Sequence, residues 1–165
     1  MIRLIVFSGL ILNFLIAQID QIPVIKLKLA DGSETTLEEI YHTGPVLIDF
    51  WALWCAPCLK AMRHLDDLQE KYRVQGFTIL GINLDTERSQ SKVKSYIRSK
   101  GYGFTVALDP SQESYRRLNG TAMPFTLLVN STGKIVYRHS GYVPGDEKIF
   151  ETEIQSILSS LEQSQ

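Results

Sequence analysis

A three-layer α/β domain, with helices on both faces of a mixed sheet, is the fold this sequence predicts. Three observations carry that expectation. Apolar segments with strand-like and helix-like periods alternate along the chain, one near-continuous apolar run reads as a buried central strand, and two turn-linked alternating segments read as hairpins at either end. The length of 165 residues suits one domain with a sizeable core and no second one.

Each element has a local reason. Val24 to Leu29 alternates apolar and basic residues, and Asp31-Gly32 supplies a turn before Thr35 to Leu37, which gives an N-terminal hairpin. Pro45 precedes Val46-Leu47-Ile48-Asp49-Phe50-Trp51, a run of the kind that forms a strand buried on both faces. Asp49 is its single charge. From Pro57 to Tyr72 the residues Leu59, Met62, Leu65, Leu68 and Tyr72 keep close to helical spacing, and Gly76 ends the segment. Phe77 to Leu84 is the next strand. Ser89 to Lys100 forms an amphipathic helix closed by Gly101, with an apolar stripe of Val93, Tyr96 and Ile97. Its lysines and arginine form a solvated face. Phe104 to Leu108 is a strand, Ser111 to Leu118 a short helix, and Phe125 to Asn130 and Lys134 to Ser140 form a hairpin around Asn130-Ser131-Thr132-Gly133. Asp146 can cap a last helix in which Phe150, Ile154, Ile157, Leu158 and Leu161 follow the 3.6-residue period.

Composition excludes some functions and directs others. Seventeen basic against eighteen acidic residues leave a net charge of -1 with no footprint for nucleic acid. Met1 to Ala17 has Arg3 followed by an uncharged apolar run of fourteen residues, short of the roughly 20 a membrane span needs. Residues 1–17 therefore read as an export signal cut near Ala17, with an uncleaved N-terminal anchor as the alternative because Leu15 is larger than the cleavage rule prefers. The protein is expected to act outside the cytoplasm, and to touch a membrane only through that segment if it is retained.

Two cysteines cannot make a multi-bridge scaffold, so Cys55 and Cys58 require another role. The pair follows a buried strand and opens a helix. There the free backbone N–H groups and the helix dipole favour a thiolate at Cys55, which should be the exposed nucleophile, while Cys58 one turn on suits the resolving thiol. Pro57 fits the first turn, where its missing N–H is not needed. As a structural staple the pair is badly placed, since a loop of only four residues gives roughly 2 kcal/mol by the loop-closure relation. Zinc lacks a second ligand pair because His42, His64 and His139 are scattered, and haem attachment needs a histidine where Leu59 stands. Copper delivery through Cys55, Cys58 and His139 is the remaining metal alternative.

The run Asp49-Phe50-Trp51-Ala52-Leu53-Trp54-Cys55-Ala56-Pro57-Cys58 resembles the active-site segment of thioredoxin-fold proteins. Gly81-Ile82-Asn83-Leu84-Asp85, Met123-Pro124-Phe125-Thr126 and Gly133-Lys134-Ile135-Val136 are similar to the extracytoplasmic TlpA/ResA-like branch, over about residues 22–161. The resemblance implies a thioredoxin fold with an inserted helix and strand between Asp85 and Pro110. It implies a thiol-disulfide oxidoreductase in which Cys55, Cys58 and Asp49 are catalytic, with Asp49 a buried acid that takes the proton of Cys58. Trp54, Ala56, Pro57, Met123 and a cis Pro124 would face the substrate chain, which could pair like an added strand; Trp51 would be packing. Implied partners are protein disulfides or dithiols of exported proteins, of the kind handled in cytochrome c maturation, and a membrane thiol reductase. No cofactor is required, because two sulfurs carry both electrons. An extracytoplasmic disulfide oxidase uses the same residues.

Four positions depart from the pattern. Ala61 stands where many of that branch have Glu, Asp49 where relatives often have Asn, and Arg63 replaces the Pro that commonly kinks the active-site helix. Gly81 occupies the place of a lysine in thioredoxin, so Asp49 is expected to titrate higher than there.

Overall fold

A computed structural model describes residues 20–162; the expected export signal at residues 1–17 lies outside them. The N-terminal hairpin is present as β1 (Lys26–Leu29) and β2 (Glu34–Thr36), closed where Asp31 accepts hydrogen bonds from the backbone and hydroxyl of Ser33. An element not expected from the sequence follows directly. Helix α1 (Leu37–Tyr41) starts at a reciprocal cap in which the Thr36 hydroxyl takes the N–H of Glu39 and the Glu39 carboxylate takes the N–H of Thr36. The Thr-x-x-Glu signature for it was in the sequence, but five residues are too few to show a helical period.

Strand β3 (Val46–Trp51) is buried along its whole length, as its apolar run requires. Helix α2 (Ala56–Tyr72) runs through Arg63 without interruption and ends in a short turn at Gly76, whose φ of 79° suits glycine. Then come β4 (Thr78–Asn83), α3 (Gln90–Lys100), β5 (Thr105–Leu108), α4 (Glu113–Arg117), β6 (Phe125–Val129), β7 (Ile135–Ser140) and α5 (Asp146–Glu162). Two boundaries differ from expectation for reasons of capping. Helix α4 is trimmed at its start because the Asp109 carboxylate, two residues before Ser111, gathers the N–H groups of Glu113 and Ser114. Asp146 is the first residue of α5 rather than a cap before it; its carboxylate takes the N–H of Val143.

The strands form one sheet in the order β2-β1-β5-β4-β3-β6-β7. The central β5, β4 and β3 are parallel and the outer pairs antiparallel, so the sheet is mixed. Alternation along β3 divides the core. Leu47 and Trp51 face a cluster that includes Met62 and Leu65 of α2, Val93 of α3, and Phe150 and Ile154 of α5. Val46, Ile48 and Phe50 face the other cluster, with Leu37 and Tyr41 of α1 and Leu118 beyond α4. Asp49 shares the parity of Leu47 and Trp51 and so lies on the α2 face.

Candidate active site

The dithiol stands where β3 hands the chain to α2. Cys55 is the N-cap of α2, and its sulfur accepts the N–H of Cys58 at 3.3 Å. The two cysteines are joined in a disulfide, with Cα atoms 5.3 Å apart. Pro57 occupies the first turn, where no intrahelical N–H is called for. The preceding loop is held from below. The N–H of Cys55 reaches the carbonyl of Ala52, and the Asp85 carboxylate accepts the N–H of Leu53 at 2.8 Å and the Asn83 amide at 2.9 Å.

Exposure corrects one expectation. Cys55 keeps only 5 % of its surface and belongs to the α2-side core, while Cys58 has none. The sulfur of Cys55 is turned back toward the first turn of α2 by its bond to Cys58 and its contact with the Cys58 N–H, so little of it faces solvent. Trp54, 68 % exposed, supplies the rim instead, with Ala56 and Pro57 exposed beside it. Trp51 is fully buried.

Asp49 is 1 % exposed, on the face of β3 that α2 covers. The Cys58 sulfur lies 4.0 Å from the carbonyl of Phe50, the next residue on β3. One carboxylate oxygen of Asp49, Oδ1, accepts the Thr126 hydroxyl at 2.8 Å; the other, Oδ2, is buried without a partner among the described residues. Burial pushes the Asp49 carboxyl up to about 7, against the opposing pull of the Thr126 hydrogen bond. A carboxyl poised there can accept or return a proton near neutral pH. Gly81 pairs in register with Asp49, and a Cβ at position 81 would meet the Trp51 indole nitrogen and the Phe104 ring at 3.1 Å. The glycine thus admits the indole and the Phe104 ring where a side chain would collide with them.

The Met123–Pro124 peptide is cis. Trp54, Cys55, Ala56, Pro57 and Met123 line one cleft of about 530 Å³, and Pro124 is buried rather than part of that lining. Leu84, Gln112, Tyr115, Thr121 and Ala122 complete it, and none of the lining residues is charged. Sequence reasoning did not find these five. They come from separate loops and from α4, and no local periodicity marks them; the Asn-x-Asp step at 83–85 and the lone Thr in an apolar strand were the available signals for Asp85 and Thr126.

His139 is not brought to the dithiol, which corrects the copper alternative. Its Nε2 faces the Asp146 carboxylate at 3.1 Å and its Nδ1 faces the Tyr137 hydroxyl at 3.2 Å. Among the described residues no three His, Cys, Asp or Glu side chains are grouped to hold a metal ion.

Residues 17–154 match the Redoxin family. Two curated relatives, each named thiol-disulfide oxidoreductase ResA, come from Bacillus thuringiensis (strain Al Hakam), 30% identical over 106 residues, and Bacillus subtilis (strain 168), 28% identical over 114 residues. The alignments cover 64% and 69% of this chain, and the chain spans about 60% of the length of those relatives. A crystal structure from Chlorobium tepidum, described as a thiol:disulfide interchange protein DsbE, superposes with a TM-score of 0.77 at 29% identity, covering 84% of this chain and 96% of that one.

Proposed function

The chain belongs to the Redoxin family, and from that premise we propose that it is a thiol-disulfide oxidoreductase that reduces disulfides of exported proteins. The observation that carries the reading is the Cys55–Cys58 disulfide at the first turn of α2, on the same side of the sheet as the buried Asp49, one of whose carboxylate oxygens has no partner among the described residues. The names of the curated relatives and of the Chlorobium tepidum protein support the same chemistry.

In the reduced protein the Cys55 thiolate attacks a substrate disulfide and forms a mixed disulfide. That attack breaks the substrate S–S bond and frees its first sulfur as a thiolate; Asp49 then takes the proton of Cys58, the Cys58 thiolate attacks the Cys55 sulfur, and the second substrate sulfur leaves as a thiolate. Two electrons pass to the substrate and the Cys55–Cys58 bond forms. Trp54, Ala56, Pro57 and Met123 present the uncharged cleft wall against which the substrate chain lies, and the Pro124 turn offers backbone for strand-like pairing. An uncharged wall suits a carrier that meets several thiol partners.

Residues 1–17 direct export, residues 22–161 carry the activity, and the protein works on the outer side of the cytoplasmic membrane. No described helix is long and apolar enough to cross a membrane. A membrane thiol reductase restores the dithiol, and exported proteins of the cytochrome c maturation type are the substrates. Reduction of a protein disulfide by dithiothreitol in the presence of the protein tests the assignment: Cys55→Ser should abolish the acceleration, and retained acceleration would overturn it. A strongly oxidising reduction potential for the dithiol would overturn the reducing direction and leave an oxidase.

A further inference from the structure

The buried row around Asp49 contains a polar side chain that packing alone does not require. In β6 the residues Phe125, Leu127, Leu128 and Val129 are apolar and buried, and Thr126 is the exception. It pairs in register with Asp49 on β3, and antiparallel partners present their side chains to the same face. Its hydroxyl gives its single proton to Oδ1 of Asp49, and Oδ2 is left without a partner among the described residues. The carboxylate is thereby made asymmetric, one oxygen occupied and one without a partner among the described residues, on the sheet face that α2 covers; Cys58 of α2 is buried there with its sulfur 4.0 Å from the carbonyl of Phe50, the residue after Asp49.

We infer that Thr126 is a positioning residue for the resolving step: it holds Asp49 so that Oδ2 receives the Cys58 proton, and it stabilises the carboxylate form that can do so. The inference rests on the proposed function, specifically on Asp49 as the proton acceptor. The step balances as an S–H bond of Cys58 lost to Asp49 Oδ2, a Cys55–Cys58 bond formed, and the Cys55–substrate bond broken with its electron pair leaving on the substrate sulfur.

The surroundings of Asp49 supply no stronger lever. The partner on β4 is Gly81, and the same-face neighbours on its own strand are Leu47 and Trp51, the latter with an indole nitrogen that has no hydrogen-bond partner among the described residues. On the same side of the sheet α2 carries Cys58, whose sulfur lies 4.0 Å from the Phe50 carbonyl. Outward along the row, Thr126 pairs with His139 of β7, which is engaged by Tyr137 and by Asp146 of α5. In the disulfide form burial raises the Asp49 carboxyl and the Thr126 hydroxyl pulls it down. A hydroxyl donating to a carboxylate favours the ionised form, so its loss in a buried site raises the proton affinity of the carboxyl, by about one pH unit.

The two thiol steps can be read separately with a disulfide that releases the coloured thionitrobenzoate anion. The first release reports attack by Cys55 and the second reports attack by Cys58. Thr126→Val should leave the pH profile of the first phase in place and move that of the second upward by about one pH unit, slowing it by up to about tenfold below the inflection. Thr126→Ser, which restores the hydroxyl, should return the second profile to the parental one. Thr126→Ala gives the same readout if Val is not accommodated. In an Asp49→Asn background Thr126→Val should add nothing, because both changes act on one proton transfer. A second-phase profile unchanged by Thr126→Val and Thr126→Ala, while Asp49→Asn alters it, would overturn the role of Thr126 alone. An equal shift in the Val and Ser variants would reduce Thr126 to packing. A second phase indifferent to Asp49→Asn would overturn Asp49 as the acceptor and the positioning role with it.

Discussion

The carboxylate of Asp85 accepts the backbone N–H of Leu53 at 2.8 Å, and through this bond the end of β4 holds the loop that delivers Cys55 to the first turn of α2. The same oxygen takes the Asn83 amide, and the Asn83 side-chain oxygen in turn accepts the Asp85 N–H. The loop before Cys55 is therefore tied to the strand beside it by side chains as well as by the carbonyl of Trp51, which accepts the N–H of Leu84.

Asp85→Ala should loosen that loop without dissolving the fold. Two donors lose a part-buried acceptor, at a cost of about 1–3 kcal/mol each where no water replaces it. Urea unfolding should show the loss, and amide exchange at Leu53 should accelerate more than exchange in β3. Asp85→Asn keeps one acceptor oxygen and should lose less. Unchanged exchange at Leu53 in the Ala variant would show that the loop is held by other contacts.

Gly81→Ala tests the close approach of the indole. The added Cβ would lie 3.1 Å from both the Trp51 nitrogen and the Phe104 ring, tighter than ordinary contact, in a core that has little room to yield. Overpacking of this kind costs about 1–3 kcal/mol. A lower urea midpoint with altered fluorescence of the buried Trp51 is the expected result; a variant as stable as the parent with unchanged emission would mean that the indole moves freely.

The pH dependence of stability follows from Asp49. Its carboxyl titrates near 7 in the folded protein against an ordinary value of 3.8, so between those values the native state holds a proton that the unfolded chain releases. Stability contributed by the neutral acid is complete below the unfolded value and declines as pH rises through that window, because the unfolded chain gains by ionising there while the buried carboxyl stays protonated until pH reaches its folded value. The decline is at most on the order of 4 kcal/mol. Urea unfolding of the oxidised protein at intervals across the window should show it, and Asp49→Asn should remove it and gain relative stability at the alkaline end. Parallel pH profiles for parent and variant would place the ionisation elsewhere.

Much of this arrangement was written in local pattern. The unbroken apolar run of Val46 to Trp51 marked the central strand and made its one acid conspicuous, because a charge among residues buried on both faces needs a purpose. The placement of Cys55 and Cys58 at a helix start followed from the strand before them and the periodic residues after Pro57. The five-residue helix α1 escaped notice because it is shorter than two turns and only its cap carries a signal.

What the linear chain determined, then, was which residues lie in strands and helices and that the dithiol opens one of those helices, since these depend on side-chain periods, turns and caps within a few neighbours. Tertiary structure alone decided that Thr126, seventy-seven positions from Asp49, hydrogen-bonds it, that Asp85 anchors Leu53, that Cys55 is almost wholly covered, and that His139 is drawn to Asp146 instead of the sulfurs. Those relationships arise from strand order and register, which bring distant residues into one row and one face. Register is set by burial of whole apolar faces, a property of the assembled sheet that no single segment contains.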